Sequence, residues 1–273
     1  MRMTLLLLAR FSISGRAAFL LLTSSFIFAP MLPAQTAVVA HRGFSAIAPE
    51  NTLIAFEQAI ACGADYFELD VQRSRSGSAI VIHDETVDRT ASDGSTGAIA
   101  AMNDRTVAQT RVGFSSQFGD AFVDEKIPTL REALTLAKGR IAVCIEIKAR
   151  NLEAEVLSIV EELEMIDEVI IFSFDADILK EIRNLNSQIH LLFLEETATP
   201  LTFATAVSLR AQAIGVGGKT EITPEFLTEA RRNGLEVWQW TVNDPVEMKR
   251  LIGIGIDGII TNHPDQALRL IGE

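Results

Sequence analysis

"VVAHRGFSAIAPENTLIAFEQAIACGADYFELDVQ", residues 38–72, spells one complete structural unit. The apolar run Val38–Arg42 reads as a strand whose tip carries an imidazole and a guanidinium. Pro49-Glu50-Asn51-Thr52 supplies the start of a helix, Gly63 ends it, and Asp65–Gln72 reads as the next strand. A strand, a covering helix and a second strand make a parallel crossover.

The alternation continues to the end of the chain. Further strands are expected at Ala79–His83, Ile141–Lys148, Glu168–Phe172, His190–Leu194, Ala213–Val216, Glu236–Trp240 and Gly258–Ile260. Between them lie helix starts with recognisable chemistry. Thr129-x-x-Glu132 and Asp244-Pro245-x-Glu247 read as capping boxes, Asp175 and Thr223-Pro224 as caps, and Gly234 as a helix end. Such repetition predicts a single α/β domain over residues 38–273, closed as a TIM-type (β/α)8 barrel.

Nine strands are one too many for that barrel. "SRSGS", residues 74–78, joins the second and third and is too short for a parallel crossover. An antiparallel hairpin turning on Ser76-Gly77 is therefore expected, with Asp70 opposite His83 and the barrel irregular at this point. Residues 84–126, rich in Gly, Ser, Asp and Thr, are too long for a structureless connection. They are expected to form a small insertion over the catalytic end of the barrel.

Residues 1–37 stand apart. Arg2, Arg10 and Arg16, no acid, an apolar run from Ala17 to Ala29 and the small residues of "LPAQTA" make a secretory signal peptide, cleaved after Ala34 or Ala37. The apolar run is too short to span a bilayer, so no stable membrane insertion is expected after cleavage, and the mature protein is periplasmic or secreted. Loss of three arginines moves the net charge from −12 to −15. No basic stripe offsets the acids, which excludes nucleic acid and anionic lipid surfaces as natural partners. Cys62, in a helix, and Cys144, in a strand, are expected as two free thiols.

Active sites on this architecture lie at the C-terminal ends of the strands, and polar residues gather there. His41 and Arg42 end the first strand, Glu68 and Asp70 share one face of the second, and His83 ends the third. Glu146 and Lys148 share a face of the fourth, and Trp240 ends "EVWQW". A buried carboxylate must be paired, and three that converge repel one another unless a cation sits between them. Glu68, Asp70 and Glu146 as an all-oxygen set suit a hard ion, Ca²⁺ or Mg²⁺; a separate salt bridge, such as Glu146 to Lys148, is the alternative for any one of them. Arg42 and Lys148 beside such an ion are suited to phosphate, and two histidines can take and give a proton. Trp240 and the insertion's Phe114, Phe118 and Phe122 are candidate pocket walls. Trp238 reads as core, Gly217-Gly218 as a turn, His190 as structural, and His263 as a residue of the loop at the catalytic end.

The stretches "AHRGFSAIAPENT", "ELDVQRSRSG", "IVIHDETVDRT", "EKIPTL", "IEIK", "WTVND" and "DGIITNHP" closely resemble the glycerophosphodiester phosphodiesterase family, in order and spacing, over nearly the whole mature chain. The resemblance implies a barrel enzyme that hydrolyses glycerophosphodiesters to sn-glycerol 3-phosphate and an alcohol, using a divalent metal. Metal ligands then fall on Glu68, Asp70 and Glu146, acid/base histidines on His41 and His83, and phosphate-holding cations on Arg42 and Lys148, with Glu50 in support. Two rivals differ in class. One is a phospholipase D-like phosphodiesterase on lysophospholipids or sphingolipids, which would use the insertion's phenylalanines at a membrane. The other is a non-catalytic receptor, which would have lost a histidine or an acid; neither is lost here.

Overall fold

The computed structural model describes residues 35–272, so the leader expected over 1–37 lies almost wholly outside the described residues. Its last part does not: Thr36 is buried, donating from Oγ1 to Ile256 O at 2.8 Å, and Ala37 opens the first strand. The domain therefore begins ahead of the expected boundary at 37/38.

Eight parallel strands close a barrel. They are β1 (Ala37–Ala40), β2 (Tyr66–Arg73), β4 (Ala142–Ile147), β5 (Val169–Ser173), β6 (His190–Glu195), β7 (Ala213–Gly217), β8 (Glu236–Trp240) and β9 (Gly258–Thr261). The ring follows chain order and closes where β9 pairs with β1, Val38 beside Ile259. The predicted strands are all present, with ends shifted by a residue or two. The ninth, β3 (Ala79–Val81), hangs outside the ring as the antiparallel partner of β2.

Its register differs from the expected one by a residue. Val71 faces Val81 and Gln72 faces Ile80, so Asp70 meets Ile82, whose N donates to Asp70 O, and not His83. The cause is the turn. Ser74 N donates to Ser78 O, the Ser74 and Ser78 hydroxyls both hold Asp104, and Gly77 takes φ +94°, so all five residues 74–78 lie in the loop. An odd-numbered loop moves the pairing by one position.

Alternation along the strands sorts two layers. Phe67, Leu69 and Val71 of β2, with Val143, Ile145 and Ile147 of β4, point outward into the main core under the helices. There α1 (Leu53–Cys62) lays Phe56 on Phe67, ring centroids 4.3 Å apart. Val39, Cys144, Phe172, Leu192, Leu194, Trp238 and Ile260 point inward and plug the barrel. Trp238 fills the centre, and Gly258 leaves room for it: a Cβ there would lie 2.6 Å from the indole. Cys62 and Cys144 are free thiols.

Helix ends follow the expected chemistry with one exception. Thr52 caps α1, Gly63 ends it in the left-handed conformation, and Thr129 with Glu132 forms a capping box on α4 (Leu130–Ala137). Asp244 caps α9 (Pro245–Gly253) without a box. Its side chain accepts from Val246 N, while Glu247 turns to Arg250 at 2.6 Å, because a guanidinium one turn on competes for the carboxylate.

Residues 84–126 hold α2 (Asp104–Gln109) and α3 (Ser115–Phe118) and have a small core of their own. Val87, Ile99, Val107 and Val112 pack on Ile80 and Ile82 beside β3. Arg89 and Gln117 reach from there to the loop after β1. No helix among the described residues is long and apolar enough to cross a membrane.

Candidate active site

The chemistry gathers at the C-terminal ends of β1, β2, β4 and β8, around a cavity of about 250 Å³. Because residues two apart share a strand face, Glu68 and Asp70 of β2 and Glu146 of β4 all point into the barrel. The β2–β4 register sets Asp70 beside Glu146. One carboxylate oxygen from each of the three lies within 4.8 Å of the others, and Glu68 and Asp70 are 3% and 1% exposed.

His41 and Arg42 lie just beyond β1, in a turn that doubles back on α1. Arg42 takes φ +55°, and Gly43 packs so closely that a Cβ would sit 2.6 Å from the Ala55 backbone. This turn aims the Arg42 backbone N at Glu68 Oε2 (2.8 Å) and its guanidinium at Glu50 (2.8 Å) and Asp70 (3.3 Å). Lys148, one residue past β4, reaches Glu146 at 2.7 Å and Asp70 at 3.3 Å. The separate salt bridges considered for the acids are thus present, but those to Asp70 are loose: Asp70 Oδ1, 3.3 Å from Lys148 Nζ, and Arg42 Nε, 3.3 Å from Asp70 Oδ2, are buried and make no hydrogen bond.

Both histidines line the cavity with Nδ1 occupied. His41 Nδ1 meets Asn262 Oδ1 at 2.7 Å, and His83 Nδ1 meets Asp84 Oδ1 at 2.6 Å. Trp240 is on the wall as expected, joined by Phe172, Phe174 and Leu194. The insertion's phenylalanines are not. Phe114, Phe118 and Phe122 pack edge to face in a row, Phe118 between the other two. His263 is also off the wall, and His190 is exposed at the opposite end, where β6 begins.

Several residues of the site were not expected. Asn51, with φ +57°, donates to Asp70 Oδ2 at 2.8 Å and accepts from Asp70 N at 3.2 Å. Arg89 grips Glu50 and Asp84 together, and Asn262 holds His41. Their sequence signals were faint: Asn51 precedes a helix cap and reads as part of it, while Arg89 sits in a polar loop.

Five carboxylates (Glu50, Glu68, Asp70, Asp84, Glu146) meet three fixed cations (Arg42, Arg89, Lys148), a deficit of two positive charges. The surplus shows in the acids. Burial, then Asp70 and Glu146, push the Glu68 carboxyl well above the usual range. Burial and Asp70 raise Glu146 to about 7 against the pull of Lys148. Burial also works to raise Asp70, but Arg42 and Lys148 outweigh it and hold it low. Burial and Arg42 lower His41 to about 4. Three oxygen donors, a buried Asp70 oxygen without a hydrogen bond and a two-charge deficit fit a divalent ion, so this trio could hold one.

Comparison with known proteins agrees with this geometry. The glycerophosphoryl diester phosphodiesterase family model matches residues 41–266. A glycerophosphodiester phosphodiesterase of Caldanaerobacter subterraneus subsp. tengcongensis is 33% identical over 244 residues, covering 87% of this chain and 98% of that protein. A crystal structure of a glycerophosphodiester phosphodiesterase from Agrobacterium tumefaciens aligns with a TM-score of 0.75 at 28% identity, over 85% of this chain and 99% of that one. An Oleispira antarctica phosphodiesterase, solved in complex with the product sn-glycerol-3-phosphate, shares the fold with a TM-score of 0.79 at 23% identity, over 88% and 98%. A matched stretch covering most of the chain and a relative above 30% identity lead to one conclusion: the chain belongs to the glycerophosphoryl diester phosphodiesterase family.

Proposed function

We propose that Glu68, Asp70 and Glu146 hold one divalent cation, Ca²⁺ or Mg²⁺, for hydrolysis of a glycerophosphodiester to sn-glycerol 3-phosphate and an alcohol. The observation that carries this is the buried carboxylate trio, its oxygens within 4.8 Å, facing two histidines across one cavity. When bound, a divalent ion there supplies Lewis acidity towards the phosphoryl group and the attacking oxygen.

The chain's own residues do the rest. Arg42 and Lys148 flank the trio and neutralise phosphoryl oxygens as charge builds on them. Each histidine has its Nδ1 held, which leaves Nε2 for the substrate. His41 is held by a neutral amide and kept uncharged by burial and Arg42, so it takes the proton from the attacking oxygen. His83, its Nδ1 held by the Asp84 carboxylate, also lines the cavity and takes the opposite role, giving a proton to the departing alcohol. Phe172, Leu194 and Trp240 offer an apolar wall for the substrate's carbon skeleton. The lysophospholipid alternative loses its motivation, since the insertion's phenylalanines are spent on one another.

The test is release of sn-glycerol 3-phosphate from glycerophosphocholine and glycerophosphoethanolamine, with chelator and with Ca²⁺ or Mg²⁺ restored. Release should stop with chelator and return with the ion, and H41A and H83A should each lose about 10²–10⁴-fold in turnover. Chelator-insensitive release would remove the cation from the site. We also read residues 1–34 as an export signal. Because Thr36 is packed into the barrel, cleavage after Ala34 is the site that spares the fold. N-terminal sequencing of the exported protein should begin at Gln35; a start at Val38 would refute this.

A further inference from the structure

Arg89 is the best-connected side chain near the site, yet it does not line the cavity. Its guanidinium sends Nη1 and Nη2 to the two oxygens of Glu50, both at 2.8 Å. Nε and Nη2 go to the two oxygens of Asp84, at 2.7 and 3.1 Å. Each carboxylate has a second partner that does line the cavity: Glu50 Oε1 takes Arg42 Nη1 at 2.8 Å, and Asp84 Oδ1 takes His83 Nδ1 at 2.6 Å. The five side chains form one run, His83–Asp84–Arg89–Glu50–Arg42, tying the loop after β3 to the loop after β1. The Phe114 ring backs Arg89, its centroid 5.3 Å from the guanidinium carbon.

We propose that Arg89 is a positioning residue of the reaction, the clamp by which the insertion fixes the His83 ring and the Arg42 guanidinium at the phosphate. The proposal rests on the phosphodiesterase function given above. A planar fork grips both oxygens of two carboxylates at once with four N–H bonds, one more than a lysine ammonium has donors to give. Without it, Asp84 is free to swing away, and His83 loses the acceptor that fixes which ring nitrogen faces the substrate. Glu50 meanwhile loses two of its three charge-assisted bonds and leans wholly on Arg42, drawing that guanidinium from the phosphate. The Phe114, Phe118 and Phe122 cluster then has a role away from the pocket wall, as the backing of this clamp.

The experiment compares wild type, R89A, R89K, D84N and D84N/R89A at saturating divalent cation, reading kcat, KM and thermal midpoint. Loss of an outer partner of a working group costs about 10–100-fold. R89A should lose that in kcat, with KM changed by about threefold or less, and millimolar guanidinium should restore part of it. The double variant should lose less than the product of the single losses, since both substitutions cut the same run. If R89A does not fold, R89K carries the test, with charge kept, the fork lost and kcat down about tenfold. Wild-type kcat in R89A or R89K, or single losses that multiply in the double variant, would overturn the clamp. Wild-type protein that releases no sn-glycerol 3-phosphate would instead overturn the function beneath it.

Discussion

Replacing Glu146 by glutamine should make the cation-free protein more stable while removing the cation. Burial and Asp70 raise this carboxyl from 4.5 to about 7. A group that holds its proton more tightly when folded contributes stability in full below 4.5, and loses it as pH rises through 7. At 1.36 kcal/mol per pH unit, that loss is about 3 kcal/mol at pH 8. Glutamine mimics the protonated carboxyl, keeps an oxygen for Lys148 and does not titrate. In chelator at pH 8, E146Q should therefore unfold higher than wild type by up to about 3 kcal/mol, or roughly 6–12 °C for a domain of this size. At pH 4 the two should coincide. Adding Ca²⁺ or Mg²⁺ reverses the order: an ion at about 100 times its Kd stabilises wild type by about 2.7 kcal/mol, and E146Q should gain little. Differential scanning fluorimetry across pH, with and without the ion, reads both effects. If E146Q is less stable than wild type in chelator at pH 8, the Glu146–Lys148 pair is a structural salt bridge and the trio is no ion site. A wild-type response to the ion retained in E146Q would refute it equally.

Other consequences follow from the same geometry. Because burial raises the Glu146 carboxyl to about 7 and Glu68 also lies well above the usual range, binding the ion below pH 7 displaces at least one proton, and apparent affinity should fall about tenfold or more per unit as pH drops from 7 to 5; titration calorimetry in buffers of different ionisation enthalpy would detect the release, and a flat profile would contradict it. N51G keeps the left-handed backbone but strips both bonds to Asp70, so ion affinity should weaken about 10–100-fold while the thermal midpoint in chelator moves little; unchanged affinity would make Asn51 a loop residue alone. F56A removes a fully buried ring stacked on Phe67 and should cost about 3–5 kcal/mol in denaturant unfolding without altering KM.

What the chain carries in its own order is local. Strand and helix periodicity, the Thr52 and Thr129 caps, the glycine after α1 and the shortness of residues 74–78 were legible because each depends on a few neighbouring residues. So were the acids of β2 and β4, since a period of two puts Glu68 with Asp70 and leaves buried charge in want of a partner. The β2–β3 register was not, because whether the hairpin turns on Ser76-Gly77 alone or through all of residues 74–78 hangs on Asp104, thirty residues from Ser74. Nor could sequence say that Arg89 crosses to Glu50, that Asn262 holds His41, or that three phenylalanines prefer one another to the cavity. The first two join residues 39 and 221 positions apart, and the phenylalanines, only four apart, still had the cavity as a rival partner. Side-chain chemistry permits many such partners, and only closure of the barrel selects among them by bringing particular loop ends within hydrogen-bonding distance.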